Sequence, residues 1–219
     1  MDEAAQRGGR GSGRASAGRD GDVTWIFAYG SLVSPASLAT TIGRTVEPGP
    51  GRRIVELAGW RRAWNYGSAS LRGDWTADDG REVVGGLVVS LGLVAEPAGT
   101  ANGVALAVDA DELAHLDRRE RAYDRVDVSA SITPLDGLGP LGAPVATYVP
   151  RPDAIERYER HRDEGTAAVR RWYHDLVRSA FAELGDEHGE RYLATTPDPD
   201  VPIHDVRLDP RSTSATNPR

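Results

Sequence analysis

Residues 24–35 read TWIFAYGSLVSP. Trp25, Ile26 and Phe27 are strand formers, and they lead straight into Tyr29-Gly30-Ser31-Leu32. Ser34 followed by Pro35 fits a helix N-cap with proline at the first helical position. A strand therefore stops on a glycine and a serine just before a helix begins. Successive backbone N–H groups at such a junction form a small concavity suited to an anion such as a carboxylate. Gly30 removes a Cβ and allows close approach or a positive φ. The stretch lacks the lysine and the repeated glycines of a phosphate loop. Glycine is also common in ordinary turns, so the residues alone leave a plain turn and a ligand loop both open.

Working outward, Val23–Ala28 is expected as a short buried strand and Ser34 as the start of a helix to about Ile42. RRIVELAGWRRAWN, within residues 44–66, reads as one or two twisted strands in which Trp60 and Trp64 pack. Val83–Val94 and Ala101–Val108 read as two further strands. Asp109-Ala-Asp-Glu112 is patterned as a capping box ahead of a short helix with Leu113 and Leu116 inward. Tyr123–Thr133 alternates as a half-buried strand carrying Val126, Val128, Ala130 and Ile132 on one face. Val145–Val149 is another strand. Thr166–Leu184 has helical periodicity, with apolar residues at 169, 172, 173, 176, 177, 180 and 181. The order lacks the strand–helix alternation of a doubly wound fold. An α+β architecture is expected instead, with a mixed, mainly antiparallel sheet or barrel flanked by helices.

The 219 residues suffice for one domain, expected over residues 22–210, with a polar leader at 1–21 and a polar tail at 211–219. The net charge of −7 disfavours nucleic acid and anionic membranes as general partners. All 26 basic residues are arginine, which excludes Schiff-base chemistry on a lysine. The chain has no cysteine, so thiol nucleophiles, disulfides and cysteine zinc sites are excluded. No apolar run approaches the ~18 residues of a membrane helix, and the leader lacks the apolar centre of a secretory signal. The simplest compartment is the cytoplasm.

HLDRRERAYDRVDV, residues 115–128, offers the second candidate. Glu120 falls where a helix gives way to a strand, a corner where a carboxylate can be partly buried and its pKa raised for proton transfer. Arg118, Arg119, Arg121 and Arg125 surround it in sequence, so a solvated ion-pair cluster is the competing reading. His115, His161, His174, His188 and His204 show no metal-ligand spacing, and no metal site is expected. Ser31 lacks the G-x-S-x-G frame of a nucleophile elbow. Trp60, Trp64, Tyr66, Tyr148 and Tyr158 fit either core packing or stacking on a ligand.

Taken in order, FAYGSL, GWRRAWNYGS (59–68), LDRRERAYDRVDV, ATYV and RYERHRDEG (157–165) resemble the γ-glutamylcyclotransferase-like superfamily. That group takes in the ChaC-type and AIG2-like proteins. The likeness runs over roughly residues 25–185. It implies a small mixed barrel with flanking helices, and release of 5-oxoproline from a small γ-glutamyl substrate without metal or cofactor. It implies that Tyr29, Gly30, Ser31 and Leu32 form the substrate loop, that Glu120 is the catalytic acid–base, and that Tyr123 and Tyr158 line the pocket. Leu32 stands where many relatives have Asn. Arg121 stands where many have Gly, which leaves Glu120 in place but sets a charge beside the pocket. The resemblance leaves open whether the leaving group is an amino acid, a peptide or an amine. A non-catalytic binding protein on the same fold is the alternative. Oligomeric state is not expressed in these patterns.

Overall fold

The structure is a computed structural model and describes residues 23–209. The expected leader and tail, residues 1–21 and 211–219, lie outside the described residues. Along the chain come β1 (Thr24–Ala28), a single 3-10 turn (Ser31–Val33), α1 (Pro35–Ile42), β2 (Arg52–Thr76) and β3 (Glu82–Val108). The middle holds α2 (Ala110–Arg119), β4 (Tyr123–Asp127), β5 (Ile132–Pro134) and β6 (Val145–Pro150). The last part holds α3 (Pro152–Asp163), β7 (Ala167–Arg170), α4 (Arg171–Ala182), α5 (Asp186–Thr195) and β8 (Ile203–His204).

Local chemistry accounts for the short helices. The Ser34 hydroxyl accepts from the Ser37 amide at 3.5 Å, Pro35 opens α1, and Gly43 closes it in the left-handed region at φ +80°. Asp109 and Glu112 form the expected capping box on α2, with Asp109 accepting from the Glu112 amide at 2.9 Å and Glu112 accepting from the Asp109 amide at 3.1 Å.

Among the described residues the strands form one eight-stranded sheet, ordered β4-β6-β1-β3-β2-β5, with β7 paired to β3 and β8 to β7. It is mainly antiparallel, with parallel pairing at β1–β6, β3–β7 and β7–β8. The fold class is the one expected. The sheet is built on one long hairpin, 25 residues in β2 and 27 in β3. Four register shifts interrupt its ladder, and at each shift the strands bend and twist. The bends let β3 serve two walls: Val104–Val108 pairs with β1, while Leu87–Val89 pairs with β7. The core between sheet and helices includes Phe27, Leu38, Leu57, Leu91, Leu106 and Phe181, all essentially inaccessible. Each such side chain contributes roughly 1.5–3 kcal/mol of burial.

Three expectations are corrected. The strands expected at Val83–Val94 and Ala101–Val108 are one element, β3. The helix expected from Thr166 begins only at Arg171, because Ala167, Ala168 and Val169 are buried in parallel pairing with Leu87–Val89. The strand expected over Tyr123–Thr133 breaks after Asp127, turns through Ser129–Ser131, and resumes as β5 against β2 at the opposite end of the sheet. No helix among the described residues is long and apolar enough to cross a membrane.

Candidate functional site

β1 delivers Tyr29 to the site from the centre of the sheet. Its ring is buried, and its hydroxyl donates to the Tyr148 carbonyl on β6 at 2.8 Å. Gly30 has φ −129° and ψ −135°, so its value here is not a positive φ. A Cβ at Gly30 would lie 3.4 Å from the Tyr173 hydroxyl, filling space that the loop leaves open. The 3-10 turn is closed by Val33 N–H to Gly30 O at 3.0 Å and Ser34 N–H to Ser31 O at 3.1 Å. The amides of Ser31 and Leu32 stand at the turn's open start, where a helix-like turn has no acceptors of its own to offer.

Glu120 is the C-cap of α2; its N–H donates to Leu116 O at 2.8 Å and its carbonyl accepts from Tyr123 N–H at 2.8 Å. That tight corner turns the carboxylate toward the loop at the end of β1. The side chain is only 16% exposed, and among the described residues its one ion pair is with Arg119 Nε at 3.1 Å. Arg125, a possible competitor, pairs with Asp117 instead at 2.9 Å. Burial raises the Glu120 pKa above the ordinary value, and the Arg119 guanidinium only partly offsets this. The same Arg119 donates to Ser31 Oγ at 3.0 Å and Ser37 Oγ at 3.2 Å, tying the end of α2 to the loop.

The two features share a cavity of about 50 Å³ walled by Tyr29, Gly30, Ser31, Leu32, Glu120 and Tyr123. Tyr148 and Tyr173 complete its wall. It adjoins a wider groove of about 410 Å³, with Ser31, Glu120, Tyr123 and Tyr173 common to both. Glu120 thus stands on the threshold between an inner chamber and an outer one. Tyr66 stacks on Tyr123 with centroids 4.1 Å apart and planes at 21°, fixing the threshold wall. Burial pushes the Tyr29 and Tyr123 phenols well above their ordinary range and Tyr173 to about 12. All three are therefore protonated near neutral pH.

The structure brings together Glu120, Tyr29, Gly30, Ser31, Leu32 and Tyr123. It does not bring Tyr158 to them. That residue is buried on α3, its hydroxyl donates to Asp200, and it lines neither chamber. Tyr148 and Tyr173 line the inner cavity although sequence reasoning assigned neither to it. Tyr173 was hidden inside the apolar periodicity of the C-terminal helix, whose inward stripe gives no sign that one member faces a cavity. Tyr148 lies in the ATYV strand, where strand alternation shows two faces but not which one meets the site. No cluster of His, Asp and Glu able to hold a metal occurs among the described residues. His161 is paired with Thr166 Oγ1 at 2.7 Å, and His174 with Asp175 at 3.1 Å.

Among solved structures, a gamma-glutamyl cyclotransferase superposes with a TM-score of 0.50 at 14% identity, covering 89% of this chain and 98% of its own. A yeast gamma-glutamyl cyclotransferase specific to glutathione gives 0.46 at 13% identity, covering 81% of this chain and 89% of its own. An Arabidopsis thaliana protein gives 0.42 at 23% identity, covering 63% of this chain and 66% of its own. No protein-family model matches the chain, and no curated protein does. The chain therefore has the γ-glutamylcyclotransferase-like fold expected from the resemblance.

Proposed function

We propose that the chain is a γ-glutamylcyclotransferase-type enzyme that releases 5-oxoproline from a small γ-glutamyl substrate. The observation that carries this reading is the meeting of a buried carboxylate, Glu120, with the open amides of the Ser31–Leu32 turn on one small cavity. In this reaction the substrate's α-amine attacks its own γ-carbonyl. A C–N bond closes the five-membered ring, and the bond from the γ-carbon to the leaving amine breaks. Glu120 takes a proton from the attacking nitrogen twice, first from the α-ammonium and again as the ring closes, and passes each to the leaving nitrogen, which departs as an ammonium, so the residue ends as it began. Positioned acid–base work of this type is worth about 10²–10⁴-fold. The cavity's second task is to hold the glutamyl chain folded for attack, and well-oriented intramolecular reactions reach effective molarities of ~10⁵ M or more. The Ser31 and Leu32 amides, with the protonated Tyr173 hydroxyl nearby, are the donors available to the α-carboxylate and to the developing oxyanion, the Tyr29 proton being held by the Tyr148 carbonyl.

The test is an assay for 5-oxoproline over a panel of γ-glutamyl dipeptides, γ-glutamylamines and glutathione. Product from at least one of them is expected. Product from none would turn the reading toward a ligand-binding protein on the same fold.

A further inference from the structure

A buried arginine of β2 stands directly behind the loop that ends β1. Arg62 is wholly enclosed and lines neither chamber. Its five N–H groups meet five acceptors. Nε donates to the Tyr29 carbonyl at 3.1 Å, and Nη1 to the Thr195 and Thr196 hydroxyls at 3.1 Å each. Nη2 donates to the Asn102 carbonyl and, at 3.0 Å, to Asn102 Oδ1. None of these acceptors is a carboxylate, and no acidic group among the described residues acts on the guanidinium. Enclosing such a charge is costly, and packing alone is served as well by an apolar side chain of that volume. Only a guanidinium holds the Tyr29 carbonyl, both threonines and Asn102 in one fixed fork. The Tyr29–Gly30 peptide is trans, and in a planar trans unit the N–H points opposite to the carbonyl. With the carbonyl drawn to Arg62, the Gly30 N–H is turned away from it. No carbonyl among the described residues accepts from that N–H, and Gly30 lies on the wall of the inner cavity. A donor on the carbonyl also polarises the peptide and strengthens its N–H, by about 10–30% per bond.

We propose that Arg62 is a positioning residue that fixes the Tyr29–Gly30 peptide from behind, so that the Gly30 N–H presents a donor to an anionic group of the ligand in the inner cavity. The inference rests on the cyclotransferase reading for the identity of that group, the α-carboxylate of a γ-glutamyl substrate. It extends that reading to a side chain that never touches the substrate. Thr195 and Thr196, at the C-terminal end of α5, brace the guanidinium, so the last helix is coupled to the loop through one side chain.

Tyr29–Gly30 and Tyr66–Gly67 are the two Tyr-Gly pairs in the sequence. Protein isotopically labelled at tyrosine carbonyl carbon and glycine nitrogen therefore gives two signals in a carbonyl–amide correlation spectrum, the second serving as an internal reference. Arg62→Lys keeps the charge but cannot span the same acceptors. It should move the Tyr29–Gly30 signal and leave Tyr66–Gly67 in place. On the Glu120→Gln background, γ-glutamylalanine should shift the Gly30 amide on binding, and Arg62→Lys should weaken that binding about tenfold. A role in stability alone would lower the melting midpoint and leave the signal and the affinity of the folded protein unchanged. Should Arg62→Lys fail to fold, Thr195→Val with Thr196→Val takes its place. That pair removes both acceptors of Nη1 while Arg62 stays, and the same signal must move and the same affinity fall. An unmoved Tyr29–Gly30 signal, an unchanged affinity, or no binding of γ-glutamylalanine overturns the inference. Release of 5-oxoproline by the parent enzyme with an unmoved signal overturns it while leaving the reaction standing. A moved signal and weakened binding, with no 5-oxoproline from the parent across the panel, upholds the role of Arg62 and overturns the cyclotransferase reading.

Discussion

Glu120 combines two conditions that rarely coexist at a surface carboxylate. It is desolvated, and it caps the C-terminal end of α2, where the aligned peptide dipoles already place partial negative charge. Both favour the protonated form, and the Arg119 pair keeps the group ionisable. A base must be ionised to act, so kcat/KM should fall as pH drops through the Glu120 pKa. The midpoint of that acid limb should lie above 4.5, the ordinary glutamate value. A pH–rate profile reads this directly, and a limb centred at or below 4.5 contradicts the assignment. The linkage sign follows from the same shift. A carboxylate whose pKa is raised by folding costs stability once pH exceeds its unfolded value. Glu120→Gln removes that cost, so the variant should melt no lower than the parent near neutral pH. The degree of burial at this corner was not expressed in the sequence, where four arginines within residues 115–128 pointed to a solvated cluster.

At the scale of elements, the bent β2–β3 hairpin sets the site's position. Where β3 passes β1, Gly103 lets the strands close up: a Cβ there would lie 2.3 Å from the Ala28 carbonyl and 2.7 Å from the Phe27 ring. Backbone cannot swing aside as a flexible side chain does, so Gly103→Ala should push the end of β1 outward. The expected cost is about 1–3 kcal/mol, the usual range for an overpacked core, read by denaturant melts. Loss of activity should exceed loss of folded protein, because Ala28 leads directly into Tyr29 and Gly30. The elements with chemical start and stop signals were legible: β1, α1 with its Ser34 cap, and α2 with its capping box. The unity of β3 was not. Glu96-Pro97-Ala98-Gly99 reads as a break, and locally it is one, since the ladder with β2 jumps from Ala95 opposite Trp60 to Thr100 opposite Ala58. The strand continues past it because its other half is claimed by β1, a pairing set by tertiary contact and not by local pattern.

Across the whole molecule, Arg62 links the loop, the hairpin and the C-terminal helices. It is fully buried on β2, with Nε donating to the Tyr29 carbonyl at 3.1 Å and Nη2 to Asn102 Oδ1 at 3.0 Å. Nη1 donates to Thr195 and Thr196 Oγ1, each at 3.1 Å. The guanidinium lies over the Phe181 and Tyr192 rings at 4.6 and 5.1 Å from their centroids. Burial pulls its pKa down to about 9, which leaves it charged at neutral pH. Arg62→Met would strand these acceptors without a donor and should cost roughly 2–5 kcal/mol, seen as a lower midpoint in thermal or denaturant unfolding. An unchanged midpoint would show that the network adds nothing. Nothing in GWRRAWN distinguishes the buried Arg62 from its half-buried neighbour Arg61, because arginine is seldom fully enclosed. The site was legible in a similar, partial way. YGSL and Glu120 were each ambiguous alone, and they acquired joint meaning from a resemblance that spans the fold. Tyr173 stayed hidden because its role depends on where α4 docks. The most direct test of the account is the initial rate of 5-oxoproline release from a preferred γ-glutamyl substrate by the parent enzyme and by folded Glu120→Gln. The account predicts a drop of about 10²-fold or more in the variant; near-parental turnover would contradict it.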